Sequence, residues 1–280
     1  MSAGTLKHIV LVLSGGGAKT AAHLGAVRAL TAAGLAPTRY VGTSMGAVIA
    51  TALAAGLGPD AVAERLLAIR HREVFALDRT ALLKGIWARA LLKPDALRRT
   101  LERLLPVTAF ADLTAPLSIT ATDLDSGDEL TFGAGGEDVP LLDALCASCA
   151  LPPFFPPFLV GGRRCADGGL REVVPLAVAG RFAADLVIAV DVGSGFDTER
   201  NPATPRQPAL IALWNDSQRV LMASNTALTQ ALWRATPGRP RLLWIRPRVR
   251  EGETFATDQL RWYLAEGERA ASAELAALRT

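Results

Sequence analysis

The sequence predicts an α/β fold in which a mostly parallel central sheet is flanked by helices. One sign is a continuous aliphatic run of strand length, His8–Leu13, which a glycine cluster ends before a helical stretch at 20–33. A second sign is a strand at Arg39–Gly42, followed by a tight turn from which Ser44 opens another helix. Repeated strand–turn–helix units are typical of parallel sheets, because parallel strands must be joined by a crossover.

The same alternation continues to the end of the chain. Further strands are predicted at Leu117–Ala121, Glu129–Phe132, Arg163–Ala166, Leu186–Val192 and Leu242–Ile245, and further helices at Pro140–Ala150, 209–235 and 257–278. Residues 59–105 are predicted to form a helical insertion, because two of its stretches begin with a proline suited to the first helical turn. Residues 151–158 hold too many prolines for regular structure. Because the strands interleave throughout, we expect a single domain, 1–280, whose C-terminal region, 209–280, is mostly helical.

The composition excludes several classes of protein. Half of the 280 residues are hydrophobic and 20% are charged, which predicts a sizeable core and argues against disorder. The net charge is only +3 and no basic stripe interleaved with aromatic residues occurs, so we expect no nucleic-acid partner. The N-terminal apolar run is too short for a secretory signal, and no apolar run reaches the roughly 18 residues of a membrane-spanning helix.

The three cysteines favour a reducing compartment, since an odd number does not suit a disulfide framework. We therefore expect a cytoplasmic protein, with peripheral contact at a membrane as an extension of that prediction. Cys146 and Cys149 form a C-x-x-C pattern, which a redox motif or half of a zinc site would also show. No second pair of ligands accompanies it, so small buried thiols on a helix are the favoured interpretation.

The pentapeptide Gly42-Thr43-Ser44-Met45-Gly46 matches the Gly-x-Ser-x-Gly pattern of a nucleophile turn. Its two glycines let the chain double back between strand and helix, which leaves the serine hydroxyl at the tip of the turn. A serine held at the start of a helix is well placed to act as a nucleophile. Such a pentapeptide also arises by chance in chains rich in alanine and glycine, so its meaning depends on what the rest of the chain supplies.

An activated serine needs a base, and in the common α/β hydrolases this is a histidine that follows the serine late in the chain. The histidines here are His8, His23 and His71, so no histidine follows residue 71 and that order is not met. Asp167 ends a short strand and is followed by two glycines, which can expose its carboxylate as an alternative base for Ser44. An ordinary Asp-Gly turn is the competing interpretation.

The glycine run Gly15–Gly17 lies between a buried strand and a helix N-terminus. Its amide groups can converge on one small space, where the helix dipole adds positive potential. Such a loop can stabilise an oxyanion or hold a phosphate. The nucleotide-binding patterns fit poorly, because Leu13 and Ala18 stand where a Walker A loop requires glycine and Thr20 stands where the dinucleotide motif requires it. An oxyanion-binding loop is therefore favoured.

Taken together, these elements resemble the patatin-like phospholipase family. The pattern of that family is a Gly-Gly-Gly-x-Arg/Lys-Gly loop, a Gly-x-Ser-x-Gly turn farther along and a late Asp-Gly-Gly or Asp-Gly-Ala. The corresponding segments here are Gly15-Gly16-Gly17-Ala18-Lys19, Gly42-Thr43-Ser44-Met45-Gly46 and Asp167-Gly168-Gly169, with further likeness at Ala147-Ser148, Pro153-Phe154, Pro157 and Pro175. The likeness covers residues 8–192.

The resemblance implies a three-layer α/β sandwich and a Ser-Asp dyad without histidine. In that scheme Ser44 is the nucleophile, Asp167 is the general base and the amides of Gly15–Gly17 form the oxyanion hole. Lys19 occupies the place of the family's basic residue, which steadies the loop or meets a substrate phosphate. The family hydrolyses acyl esters of phospholipids and other lipids through an acyl-enzyme, so the resemblance also implies that no metal or cofactor takes part.

Two residues depart from the family pattern. Thr20 replaces the glycine that follows the basic residue, which bears on how the glycine loop closes. Val173 replaces an asparagine that many members carry after Asp-Gly-Gly, which bears on the support of that turn. Neither departure touches Ser44 or Asp167.

The favoured function is therefore a lipid acyl hydrolase of the phospholipase A or lysophospholipase type. The alternatives are an esterase or acyltransferase that uses soluble acyl donors, and a catalytically silent binding module. The segment Phe154–Phe158 and the insertion are apolar enough to form either core or an acyl-binding or membrane-docking surface, the second of which predicts transient contact with a membrane. The apolar residues of the insertion are Leu82, Leu83, Ile86, Trp87, Leu91 and Leu92.

Overall fold

A computed structural model describes residues 6–69, 90–193, 195–196, 208–249 and 259–279. The strands are β1 (Ile9–Leu13), β2 (Arg39–Thr43), β3 (Leu117–Asp123), β4 (Glu129–Gly133), β5 (Phe158–Val160), β6 (Arg163–Asp167), β7 (Leu186–Val190) and β8 (Arg241–Ile245). The helices are α1 (Ala21–Ala32), α2 (Met45–Ala54), α3 (Pro59–Leu67), α4 (Pro94–Leu104), α5 (Leu141–Ser148), α6 (Leu176–Ala179), α7 (Ala209–Ala235) and α8 (Leu260–Arg279).

The strands form one sheet in the order β5-β6-β3-β2-β1-β7-β8, with β4 also paired to β3. The five strands from β3 to β8 in this order are parallel, and β4, β5 and β6 are antiparallel additions at the β3 end. The predicted mostly parallel sheet is therefore confirmed. Strand β5 was not expected from the sequence: it is a short edge strand after the prolines, held by pairing with β6 across the glycines at 161 and 162.

Helices cover both faces of the sheet, as the resemblance implies. Along β1, Ile9, Leu11 and Leu13 enter a larger core that is closed by helices α1 to α5 and α8. The alternate residues, Val10 and Val12, enter a smaller core that includes α6 and one tryptophan of α7. Because successive side chains of a strand point to opposite faces, a strand buried on both faces must be apolar throughout, which explains the unbroken aliphatic run.

The C-terminal helix α8 packs directly on α1, the helix that follows the glycine loop. At their crossing, a Cβ on Gly25 would overlap the backbone of Leu264, and a Cβ on Gly267 would overlap the backbone of Ala22. The two helices therefore approach closely only because both positions are glycine. The part of the chain that carries no family motif thus supports the element that presents the glycine loop.

The apolar residues 154–158 belong largely to the core. Phe155 is buried, and Phe154 and Phe158 are partly buried against the larger core. Leu92 is buried in the same core and Leu91 packs on its edge. These residues therefore agree with the core interpretation, while the remaining apolar residues of the insertion, 82, 83, 86 and 87, lie outside the described residues.

Strands β2 and β6 meet end to end along β3, and this arrangement positions the candidate site. Thr43, the last residue of β2, pairs with Thr120 of β3. The next residue of β3, Ala121, pairs with Asp167, the last residue of the antiparallel strand β6. The carboxyl ends of β2 and β6 therefore face each other, although they are more than a hundred residues apart in the chain.

Candidate active site

Ser44 occupies the sharp turn between β2 and α2. Its φ of 54° is the only positive value at a non-glycine position among the described residues. A residue held in this sparsely populated region costs roughly 1–3 kcal/mol and persists only where its surroundings enforce it. Gly46 helps to enforce the turn, since a Cβ there would overlap the carbonyl groups of Leu13 and Ser14 at the end of β1. The structure thus forms the predicted strand-to-helix turn.

The structure brings the side chains of Ser44 and Asp167 together. The Ser44 hydroxyl donates a hydrogen bond to Oδ2 of Asp167 at 2.6 Å. The Gly169 amide donates to the other carboxylate oxygen, Oδ1, at 2.8 Å, which fixes the plane of the carboxylate. Both side chains are buried, with 9% of Ser44 and 4% of Asp167 exposed.

Burial raises the pKa of Asp167 from 3.8 to about 6, against the opposing effect of the hydrogen bonds from Ser44 and Gly169. A carboxylate with this pKa is ionised at neutral pH and is still more basic than an exposed aspartate. It can therefore accept a proton from a hydroxyl that is already hydrogen-bonded to it.

The backbone of Asp167 is fixed on both sides. Its amide donates to the carbonyl of Ala150 at 3.1 Å. Its own carbonyl accepts a hydrogen bond from the hydroxyl of Thr122 at 2.9 Å. The carboxylate is thus held by strand pairing, by a neighbouring loop and by the turn that follows it.

The glycine loop lies beside Ser44. A Cβ on Gly15 would lie 3.4 Å from the Cβ of Ser44. The structure differs from the sequence-based expectation at this residue, because the Gly15 amide already donates to the carbonyl of Val173 at 3.0 Å. The amides of Gly16 and Gly17 have no acceptor within the part of the chain that the structure describes. Gly17 begins a short 3₁₀ turn that runs directly into α1, so these free amides lie at a helix N-terminus.

The two departures from the family pattern both have a structural account. The hydroxyl of Thr20 donates to the carbonyl of Gly17 at 2.6 Å, so its side chain closes the glycine loop. Val173 supports Gly15 through its backbone carbonyl, a contact that does not depend on the side chain. Its side chain is buried in the smaller core.

The basic and imidazole groups near the loop are buried. Lys19 is only 3% exposed, which fits support of the loop better than contact with a phosphate that arrives from solvent. His23 is buried, and its Nε2 donates to the carbonyl of Ser14 at 2.9 Å. Burial lowers the pKa of His23 to about 4, so the ring is neutral and supports the loop. His8 is exposed and immediately precedes β1, and His71 lies outside the described residues.

The cysteines are free and buried, as the favoured interpretation of the C-x-x-C pattern predicts. Burial raises the pKa of Cys146 to about 12 and that of Cys149 well above its usual range. Within the described ranges, no three histidine, cysteine, aspartate or glutamate side chains are grouped so that they can hold a metal ion. No helix of the described part is long and apolar enough to cross a membrane.

The fold is that of an α/β protein with a mostly parallel sheet, and comparison with known proteins identifies its family. A family model for patatin-like phospholipase matches residues 11–179, which is more than half of the chain. The chain therefore belongs to the patatin-like phospholipase family.

Relatives of known sequence and structure agree with this assignment. An uncharacterised NTE family protein of Mycobacterium tuberculosis is 32% identical over 206 residues, which are 74% of this chain and 54% of that protein. Patatin-like phospholipase domain-containing protein 6 of Mus musculus is 28% identical over 196 residues, or 68% of this chain and 14% of that protein. The chain thus spans about half the length, or less, of these relatives.

A solved structure supports the fold. Human GIVD cytosolic phospholipase A2, in complex with a methyl gamma-linolenyl fluorophosphonate inhibitor, matches with a TM-score of 0.50 at 14% identity. The match covers 98% of this chain and 59% of that one. At this identity the likeness concerns the fold alone.

The sequence predicted no role for several residues that lie next to Ser44 and Asp167. The hydroxyl of Ser148 accepts a hydrogen bond from the Ser44 amide at 2.8 Å, and the next residue, Cys149, is also buried. Glu172 is buried just beyond the Asp-Gly-Gly turn. The only sequence signal was the family likeness at Ala147-Ser148, which says nothing about what these residues contact.

Proposed function

We propose that this chain is a lipid acyl hydrolase in which Ser44 is the nucleophile and Asp167 is the general base. The observation that carries the proposal is the 2.6 Å hydrogen bond between the Ser44 hydroxyl and a buried carboxylate whose pKa is raised to about 6. Membership of the patatin-like phospholipase family supports a lipid ester as the substrate.

In the first step, Asp167 takes the hydroxyl proton as the Ser44 oxygen bonds to the ester carbonyl carbon. The tetrahedral intermediate then collapses, the proton passes from Asp167 to the leaving alcohol, and the acyl group stays on Ser44. In the second step, water gives a proton to Asp167 and attacks the acyl-enzyme. The fatty acid leaves as Asp167 returns the proton to the Ser44 oxygen.

The negative charge of the tetrahedral intermediate needs hydrogen-bond donors. We assign this role to the amides of Gly16 and Gly17, because the Gly15 amide is engaged with Val173. Their position at the N-terminus of the segment that continues into α1 adds a favourable potential for an anion. Gly15 then holds the loop against Ser44, and the buried Lys19 and Thr20 fix its far side.

The nucleophile is tested with a fluorophosphonate probe, which reacts only with an activated serine. Wild-type protein is expected to label, and Ser44→Ala is expected to lose labelling completely because the attacking oxygen is gone. Cys146→Ala is a matched control, since it removes a buried side chain from the larger core without contact to Ser44. Absence of labelling in wild-type protein would instead favour a catalytically silent binding module.

The substrate class is tested by product analysis. Mixed-chain phosphatidylcholine vesicles and a short soluble ester are compared at equal enzyme, with and without an added alcohol acceptor. Release of fatty acid from the vesicles at a higher rate than from the soluble ester supports the lipid hydrolase. Faster turnover of the soluble ester, or transfer of the acyl group to the alcohol, would favour the esterase or acyltransferase alternative.

We further propose that this protein is cytoplasmic and that it contacts a lipid surface through the outer face of α7. Six apolar side chains on one stripe of this helix are exposed: Leu210, Leu213, Trp214, Leu221, Leu228 and Leu232. The other side of α7 lies near the site, since Met222 is within 3.7 Å of a Cβ placed on Gly169. At the edge of the stripe, Trp214 donates to the carbonyl of Pro152. A lipid bound there would meet the protein next to the turn that carries Asp167.

This contact is tested by sedimentation with phosphatidylcholine vesicles. The double variant Leu221→Gln/Leu228→Gln is expected to bind vesicles at least about 30-fold more weakly, because about 1–2 kcal/mol of apolar burial is lost at each position. The control is Leu159→Gln, which changes an equally exposed leucine on the edge strand β5. Equal loss in both variants would contradict the assignment to α7.

A further inference from the structure

The relative position of Ser44 and Asp167 has to be set by something that touches both residues, because 123 residues of chain separate them. Strand β3 aligns the strands that carry them, and one short segment contacts both residues directly: residues 148–150, at the C-terminal end of α5. The hydroxyl of Ser148 accepts the amide hydrogen of Ser44 at 2.8 Å. Two residues later, the carbonyl of Ala150 accepts the amide hydrogen of Asp167 at 3.1 Å.

We propose that Ser148 is a positioning residue for the reaction of Ser44, and that the segment 148–150 sets the distance between the two halves of the pair. This inference rests on the proposed function, since it concerns the same serine and aspartate. It assigns to Ser148 an effect on rate that goes beyond filling space in the core.

The geometry of the Ser44 turn explains why a side-chain acceptor is needed. Ser44 stands before the first residue of α2 with a φ of 54°, so its amide has no acceptor within that helix. Ser148 is completely buried, so water cannot replace its hydroxyl as the acceptor. The direction of the Ser44 amide fixes the peptide plane, and with it the direction in which the serine side chain leaves the turn. A lost hydrogen bond at this point therefore tilts the hydroxyl away from Asp167.

Cys149, the middle residue of the segment, is buried. Burial and the nearby carboxylate of Asp167 raise the pKa of this thiol well above its usual range, so it stays neutral. A neutral thiol is only a weak acceptor, so Asp167 remains the acceptor of the Ser44 hydroxyl.

The contacts on the far side of α5 anchor the segment. Arg98 of α4 donates to Asp143 of α5 at 2.8 Å, and the buried face of α5 packs in the larger core. These contacts with α4 and the larger core hold the end of α5 in place. It can therefore fix the distance between Ser44 and Asp167.

The experiment measures the rate constant of fluorophosphonate labelling for wild type, Ser148→Ala, Ser148→Cys and Cys146→Ala. Each rate is corrected for the folded fraction, and kcat and KM for ester hydrolysis are measured on the same proteins. Ser148→Ala is expected to label about 10–100-fold more slowly and to lose kcat with little change in KM, because a misaligned nucleophile affects the chemical step. Ser148→Cys keeps the volume with a weaker acceptor, so an intermediate rate is expected, and it replaces Ser148→Ala if that variant does not fold.

Cys146→Ala separates positioning from stability. It removes a buried side chain from the same helix, so it is expected to lower the melting temperature yet to label at the wild-type rate. Labelling of Ser148→Ala and Ser148→Cys at the wild-type rate would overturn the positioning role while leaving the proposed function intact. A wild-type protein that does not label would overturn the proposed function, and the positioning role with it.

Discussion

Two buried carboxyl groups lie five residues apart on either side of the same turn, and their surroundings give them different chemistry. Asp167 receives hydrogen bonds from Ser44 and Gly169, and its pKa rises only to about 6. The pKa of Glu172 rises to about 8, because burial is reinforced by repulsion from Glu129 and only partly offset by the amide of Ala177. At neutral pH the first is a carboxylate and the second holds its proton.

The difference between Asp167 and Glu172 shows that the hydrogen-bond donors and charges next to a buried carboxyl decide whether it is ionised. They matter more than how deeply the carboxyl is buried. Hydrogen-bond donors stabilise the charged form, whereas a second carboxyl disfavours it. Glu129 is partly buried, and its pKa is raised by that burial although Arg181 acts against the rise. The nearby carboxyl of Glu129 therefore favours the protonated form of Glu172, while Asp167 stays ionised beside the serine.

The largest expected effect is a difference in activity between variants of Asp167 and variants of Glu172. Asp167→Asn is expected to lower kcat/KM by about 10³-fold or more, because the amide cannot accept the serine proton. Glu172→Gln is expected to stay within about fivefold of wild type, because its carboxyl accepts the Ala177 amide, whereas the Ser44 hydroxyl is bonded to Asp167. The measurement is ester hydrolysis at pH 7.5 on variants shown to be folded by circular dichroism. Comparable losses in the two variants would remove the distinction between the two groups.

Asp167→Asn is also expected to stabilise the protein. The pKa of Asp167 is higher in the folded chain than its ordinary 3.8, so its ionisation destabilises the fold as pH rises from about 4 to about 6. A neutral asparagine avoids this cost, and its oxygen can still accept the Gly169 amide. We expect Asp167→Asn to gain about 2–3 kcal/mol in the free energy of unfolding at pH 7, measured by urea denaturation. A loss of stability would contradict the burial cost assigned to the carboxylate.

A smaller effect concerns the pH dependence of the rate. Because Asp167 must be ionised to accept a proton, kcat/KM is expected to rise with pH and to level off above a midpoint of about 6. Glu172→Gln is expected to leave this midpoint unchanged. The test is a profile of kcat/KM from pH 4.5 to 8.5 with a soluble ester. A midpoint near 8 that disappears in Glu172→Gln would show that the wrong carboxyl has been assigned.

The last prediction concerns the stability of the protein at the second carboxyl, Glu172. The pKa of Glu172 is raised from 4.5 to about 8, so its contribution to stability is complete below pH 4.5 and is lost progressively up to about pH 8. Wild-type protein is expected to lose melting temperature across this window, and Glu172→Gln is expected to lose less. Thermal unfolding at pH 5, 6.5 and 8 measures the difference. Parallel curves for the two proteins would mean that Glu172 does not hold a proton in the folded chain.

Much of the local structure could be predicted from the sequence. The aliphatic run before the glycine loop is β1, and the long helical stretch at 209–235 is α7 over the same residues. These elements are predictable because hydrophobic periodicity and turn residues act over short distances. The exposure of the leucine stripe of α7 could not be predicted, because a periodic apolar face looks the same in sequence whether it packs in a core or faces solvent.

The contacts that complete the site were beyond sequence reasoning. Nothing local to Ser148 shows that its hydroxyl meets the Ser44 amide, and nothing local to Gly15 shows that its own amide is taken by Val173. Both contacts join segments more than a hundred residues apart. They depend on the sheet order, which a hydrophobic pattern does not specify.

The sequence by itself determined the kind of turn at Ser44, the absence of a late histidine and the family to which the chain belongs. Those features are local, since glycine spacing and residue identity can be read at each position. The tertiary structure decided whether Asp167 lies next to Ser44. It does so by laying β2 and β6 end to end along β3, so that adjacent residues of one strand, Thr120 and Ala121, hold the two halves of the site.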